Sequence, residues 1–164
     1  MKGTGMQDAH RTADAEATAQ ARAILQGARD AVLAVADAQG WPMVSRIALQ
    51  TDADGQPLAI LSGLALHTAA LCADPRAALL VDEDRAGARG MALTRARLSL
   101  QVEARIVAPE DGQDLRRAWL DRDPKAAVYA RLPDFRFWRL QIRGGLLNAG
   151  FGRAFRLTAQ DLRA

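Results

Sequence analysis

Cysteine occurs once in the 164 residues, at Cys72, and histidine twice, at His10 and His67. A single cysteine allows no intrachain disulfide framework and no cysteine-based zinc site. Two histidines exclude a centre built on several imidazoles. No stretch approaches the roughly 20 consecutive apolar residues of a membrane span. The opening residues, MKGTGMQDAHRTADAEA, lack the apolar core of a signal peptide. These absences lead to the expectation of a cytoplasmic protein that keeps away from membranes. A basic run is missing too: 22 Lys and Arg stand against 19 Asp and Glu, for a formal charge of +3, and the signs alternate along the chain. That is the pattern of a solvated surface, not of a nucleic-acid groove. No metal motif, phosphate loop or nucleophile elbow is present, and no metal site is expected.

The composition is otherwise globular, with 49% hydrophobic and 25% charged residues, enough for one domain with a real core. Residues 1–12 read as a mobile tail, and 13–164 as the single folded domain. Ala-rich sequence from Ala13 to Gln26 predicts a helix stopped by Gly27. Apolar runs separated by turn residues then predict three consecutive antiparallel strands, near 30–37, 43–51 and 57–62, with Asp54-Gly55 as the clearest hairpin signal. A short helix over Leu66–Ala73, a strand over Arg76–Val81 and a polar loop at 82–91 follow. In RLSLQVEARIV, Leu98, Leu100 and Val102 alternate with Arg97, Ser99, Gln101 and Glu103, which predicts a long half-buried strand. Helices are expected from Pro109 to Leu120 and from Asp123-Pro124 to Ala130. FRFWRLQIRGGLLNAG predicts a strand bent at Gly144-Gly145, and FGRAFRL the last one. Without βαβα alternation, the fold class is mainly β (α+β): an antiparallel barrel with peripheral helices. Trp119, Phe137 and Trp138 read as core or interface aromatics, and Cys72 as a small buried hydrophobe.

Four segments in this order carry a resemblance. They are VSRIALQ at 44–50, LSGLALHTAALCADPRAALLVDE at 61–83, RLSLQVEARIV at 97–107 and NAGFGRAFRL at 148–157. Together they resemble the flavin-binding split β-barrels of the pyridoxamine 5′-phosphate oxidase-like superfamily, and most of all its haem-utilisation branch. The resemblance spans about residues 19–158 and implies a homodimer with cofactor at the subunit interface.

What it implies for the site is FMN binding. Arg46, His67 and Thr68 match the positions that face the flavin phosphate. Ser62, with the backbone of Ile47 and Ala48, matches positions along the isoalloxazine, and Ser99 or Gln101 would reach it from a neighbouring strand. Arg153, in the Gly-Phe-Gly-Arg-Ala segment, is a candidate contact to an anionic ligand. The resulting expectation is an FMN-dependent oxidoreductase of unassigned substrate, in which the flavin carries the electrons and no catalytic side chain is singled out. The departures matter. The oxidase has an Arg-Lys pair where this chain has His67-Thr68, and its C-terminal Arg-x-His is missing, so pyridoxamine phosphate oxidation itself is not expected. The alternatives are a haem-binding or haem-degrading protein, although no histidine follows His67 to match that branch's C-terminal iron ligand, a non-catalytic flavin-binding module, and a barrel that has lost its cofactor.

Overall fold

The computed structural model describes residues 11–83, 91–150 and 152–163. The expected tail up to residue 10, with His10, and most of the polar loop at 82–91 lie outside them. Among the described residues the strands are β1 (Arg11–Thr12), β2 (Asp30–Ala36), β3 (Pro42–Thr51), β4 (Pro57–Ser62), β5 (Arg76–Asp82), β6 (Arg97–Ile106), β7 (Phe135–Asn148) and β8 (Ala154–Thr158). The helices are α1 (Ala15–Gly27), α2 (Leu66–Ala73), α3 (Gly112–Arg122) and the single turn α4 (Ala127–Ala130). Arg11 and Thr12, assigned by composition to the tail, instead pair in parallel with Phe155 and Arg156 of β8.

The sheet runs β1-β8-β7-β4-β3-β2-β5-β6, and β6 also pairs with β7, so six strands close into a barrel. β3 pairs with β4 only over Leu49–Thr51, so its first half keeps an open edge beside the β4–α2 link, and the barrel is split there. The β2–β3–β4 meander is built by one device used twice. In Asp37-Ala-Gln-Gly-Trp and Asp52-Ala-Asp-Gly-Gln the aspartate carboxylate accepts the backbone N–H groups two and four residues on. The glycine in each turn, Gly40 at φ 83° and Gly55 at φ 76°, takes the left-handed conformation that other residues avoid.

β7 is the strand that everything shares. Its first half pairs with β4, its second half with β8, and its other edge with β6. The β6–β7 register slips between Gln101 and Val102, leaving Arg143 as the extra residue of a bulge that turns the strand. Beyond the bulge, Gly145 passes Leu100 so closely that a Cβ there would sit 2.6 Å from the Ser99 carbonyl oxygen. Inside the barrel pack Leu33, Leu49, Leu79, Leu98, Leu100, Leu140 and Leu147, all essentially sealed from solvent, with α1 closing one end through Ile24 and Leu25.

β4 is buried on both faces, which explains its unbroken apolar run. Ala59 and Leu61 face the barrel core, whereas Leu58 and Ile60 join a second cluster outside it with Trp119, Ala126, Ala130 and Phe137. α3 and α4 thus cover the β4–β7 wall, and Trp119 meets Phe137 edge to face at 5.7 Å. Trp119, Phe137 and Trp138 are core residues, as expected. Cys72 is not: it lies on the exposed side of α2, because Ala70 and Leu71 supply the buried stripe of that helix.

Candidate functional site

Where β3 and β4 leave the barrel wall and α2 begins, a cavity of about 280 Å³ opens between the wall and α4. Five of the residues singled out from the sequence line it: Arg46, Ile47, Ala48, Ser62 and His67. Ile60, Leu61, Ala65, Tyr129 and Phe135 complete it, so the lining is mostly apolar. Alternation on β3 positions the first three, and the tight link from β4 to α2 positions the rest.

That link is held from two sides. Ser62 Oγ donates to Asp134 Oδ2 at 2.5 Å and accepts the Leu64 N–H at 3.1 Å, while the Gly63 N–H donates to the Asp134 carbonyl at 2.8 Å. Thr68 is buried, and its hydroxyl donates to the Ser62 carbonyl at 2.7 Å, tying the first turn of α2 back to the end of β4. At the far end of α2, Asp74 is held down at about 2 by hydrogen bonds from the Arg76 side chain and backbone N–H. The Asp-Pro-Arg segment is thereby a clip between α2 and β5.

The electrostatics of the cavity are those of an apolar site with one movable cation. Burial lowers the His67 pKa below its ordinary 6.5, so the imidazole is neutral at physiological pH. The Tyr129 pKa is raised by burial, which outweighs an opposing effect of the Trp119 indole, and the Asp123 charge adds a smaller push in the same upward direction. Arg46 carries the only cation on the lining; its side chain is 78% exposed and touches Asp30 at 3.9 Å, a contact worth little in water.

Three sequence candidates lie elsewhere. Ser99 and Gln101 are exposed on β6, and β6 is no neighbour of β3. The cross-strand row runs Arg46, Val32, Leu80, Ser99, and the next runs Val44, Ala34, Ala78, Gln101. Three strand spacings therefore separate Arg46 from Ser99, about 14 Å. Neither polar side chain reaches this subunit's cavity, which corrects the expectation of contact from an adjacent strand. Arg153 stands beside α1, 3.3 Å from Glu16 and over the Phe155 ring; Gly150 and Gly152 on either side of that link have positive φ, so the segment serves as the β7–β8 turn. Tyr129, Asp134 and Phe135 were not found from sequence. Their stretch showed only helix and strand signals, and their role comes from the packing of α4 against β4.

A closed antiparallel barrel with this cavity at its rim defines the split-barrel class, and the chain belongs to the pyridoxamine 5′-phosphate oxidase family, whose pattern matches residues 17–148. Among curated proteins it is similar to a chloroplastic heme oxygenase of Arabidopsis thaliana, HOZ, with 32% identity over 117 residues, covering 71% of this chain and 35% of that protein. It is also similar to heme oxygenase HutZ of Vibrio cholerae, with 29% identity over 138 residues, covering 79% of this chain and 74% of that one. The chain thus spans about a third of the plant relative's length. Among solved structures, a heme binding protein from Mycobacterium smegmatis superposes with a TM-score of 0.80 at 26% identity, over 92% of this chain and 61% of that one.

These similarities overturn the flavin reading. These two curated relatives and the Mycobacterium smegmatis structure are named for haem, so FMN is not retained as the cofactor, nor a flavin-dependent oxidoreductase as the function. The local chemistry agrees with the correction. A flavin phosphate is best held by fixed cations, and the matching positions hold a neutral imidazole, a hydroxyl already donating to Ser62, and a solvated arginine. Among the described residues no helix is long and apolar enough to cross a membrane.

Proposed function

We propose that the protein binds haem in the cavity beside His67 and acts in oxidative haem turnover, the activity for which its curated relatives are named. The observation that carries this reading is similarity over most of the domain to two proteins both named heme oxygenase. The residues fit such a ligand. His67 is the one histidine among the described residues, and it offers a neutral nitrogen, the protonation state that ligates iron. Ile47, Ile60, Leu61 and Phe135 supply apolar walls, and Arg46 is free to turn toward a carboxylate at the rim. When bound, the iron porphyrin supplies the oxygen-dependent chemistry; the protein orients it, keeps water from one face and holds His67 unprotonated.

A cavity of about 280 Å³ falls just below the range of about 300–1,000 Å³ that encloses a small molecule. One subunit therefore covers only part of the ligand, and a second copy is proposed to cover the rest. The outer face of β3, β2 and β5 suits that role: it carries Val32, Ala34, Ala78 and Leu80, with Val44 67% exposed at its edge. A homodimer formed on this face brings a partner's Ser99 and Gln101 toward the cavity that this subunit's own copies do not reach.

Hemin titration followed at the Soret band tests the reading. Saturation at one haem per chain, with a weakened and blue-shifted complex in His67→Ala, is the expected result. A spectrum that remains the sum of free hemin and protein overturns it. Turnover is tested separately, with a reductant and oxygen, by loss of the Soret band and release of iron.

A further inference from the structure

A second cavity, of about 230 Å³, lies on the other side of Phe135, between the start of α3 and the first residues of β7. Its chemistry differs from that of the site above. Two arginines, Arg116 and Arg136, converge on it, with Gln113 beside them and the rings of Phe135 and Phe137 as an apolar wall. Arg116 is fixed in place: its Nε donates to the Ala130 carbonyl at 2.7 Å and its guanidinium lies 6.0 Å over the Phe137 ring. That hydrogen bond uses one of the five N–H donors of the guanidinium. The acidic residues of the same turn, Glu110, Asp111 and Asp114, do not line the cavity. A held guanidinium, a second arginine and an aromatic wall form the arrangement that recognises a flat ring bearing an anionic group, through charge-assisted hydrogen bonds at one end and ring packing at the other.

The geometry points to this cavity as a second binding site, for a small planar aromatic carboxylate, next to the proposed haem cavity, with which it shares Phe135. The site stands whether or not haem binds next door. Its volume of about 230 Å³ admits a fused pair of rings. Because Phe135 lines both cavities, a ligand here bears on the wall of the other one.

Gly112 offers a clean way to block it. The residue lines the cavity, has φ of −66°, and a Cβ placed on it meets nothing within 4 Å. Gly112→Leu therefore fills the space without strain in the backbone, and Arg136→Gln removes the exposed cation.

The test is isothermal titration of the full chain with β-naphthoate, and with β-naphthamide as its neutral counterpart. One naphthoate per chain is expected, bound about tenfold tighter than the amide. Gly112→Leu should abolish that heat, and Arg136→Gln, which leaves Arg116 in place, should narrow the preference for naphthoate over the amide. Equal binding of acid and amide, undiminished binding in Gly112→Leu, or no binding to the wild-type chain overturns the assignment. Hemin titration of Gly112→Leu keeps the two sites apart. An unchanged Soret response is expected, and loss of haem binding in that variant refutes the claim that the sites are separate.

Discussion

Replacing Gly145 by alanine tests the architecture at its tightest point. The added Cβ would lie 2.6 Å from the Ser99 carbonyl oxygen and 2.7 Å from Leu100 Cδ2, with the Leu100 Cα at 3.3 Å. Ser99 O is backbone in the middle of the β6–β7 ladder, and Leu100 is fully buried, so neither moves without disturbing the seam that closes the barrel. Overpacking of this kind costs about 1–3 kcal/mol, and a backbone contact places it at the upper end. Against that stands about 0.4–1 kcal/mol from the stiffer unfolded chain. The balance is a loss of about 2 kcal/mol, which for a domain of this size lowers Tm by about 4–8 °C. Gly144 is the control: a Cβ there meets only the Leu157 carbonyl, at 3.2 Å, a milder contact than the two below 3 Å at Gly145. Thermal melts of the two variants followed by circular dichroism settle the point. If Gly145→Ala melts with the wild type, or Gly144→Ala falls further than it does, the account of the seam is wrong.

Other perturbations read different parts of the molecule. The Asp52 carboxylate is almost sealed from solvent and receives Arg139 Nε at 2.8 Å together with two turn N–H groups, so Asp52→Ala should cost about 2–3 kcal/mol in urea unfolding; a loss below about 1 kcal/mol makes that pair an ordinary surface contact. Asp134→Asn keeps the shape but weakens the acceptor of the Ser62 hydroxyl, and should lower hemin affinity with little change in Tm; a change in Tm alone would limit Asp134 to a structural role. The pH dependence follows from His67, whose folded pKa lies below the ordinary 6.5 because of burial. Below that value the unfolded chain takes up a proton that the folded one resists, so this contribution to stability is complete above 6.5 and lost as pH falls through the folded pKa. Between about pH 7.5 and about pH 5.5 the wild type should therefore lose more stability than His67→Gln; equal losses in both would remove His67 as the titrating group.

Strand positions were legible in the sequence wherever one face meets the core and the other meets water. Leu98, Leu100 and Val102 alternate with Ser99 and Gln101, and β6 falls where that alternation predicts. The limits of β4 and α2 were legible as well, because Asp54-Gly55 and Asp74-Pro75 punctuate them. The order of strands around the barrel was not. Nothing local says that β2 lies between β3 and β5, and that ordering is what removes Ser99 and Gln101 from the cavity of their own chain. Cys72 was misplaced for a related reason: in a helix as apolar as LHTAALCA, composition does not mark which stripe is buried. Asp134 escaped notice because its partner, Ser62, lies 72 residues away in the chain.

The change from a flavin reading to a haem proposal shows what kind of information the site residues carry. Arg46, Ile47, Ala48, Ser62 and His67 were grouped correctly in space, and they do line one cavity. Grouping is a property of the barrel, since β3, β4 and the start of α2 meet there whichever ligand the chain accepts. Choice of ligand rests on something narrower: how many cations are fixed at that rim, and whether the one imidazole is charged. Arg46 is solvent-exposed and His67 is desolvated, which disfavours a dianionic phosphate and agrees with the proposed ligand, a large apolar ring carrying a metal that takes a neutral nitrogen. A lysine introduced at Thr68 alone would not restore a phosphate site, because that side chain is buried and turned toward the Ser62 carbonyl. A cation at position 67 would face the cavity directly, and it would remove the proposed iron ligand in the same step.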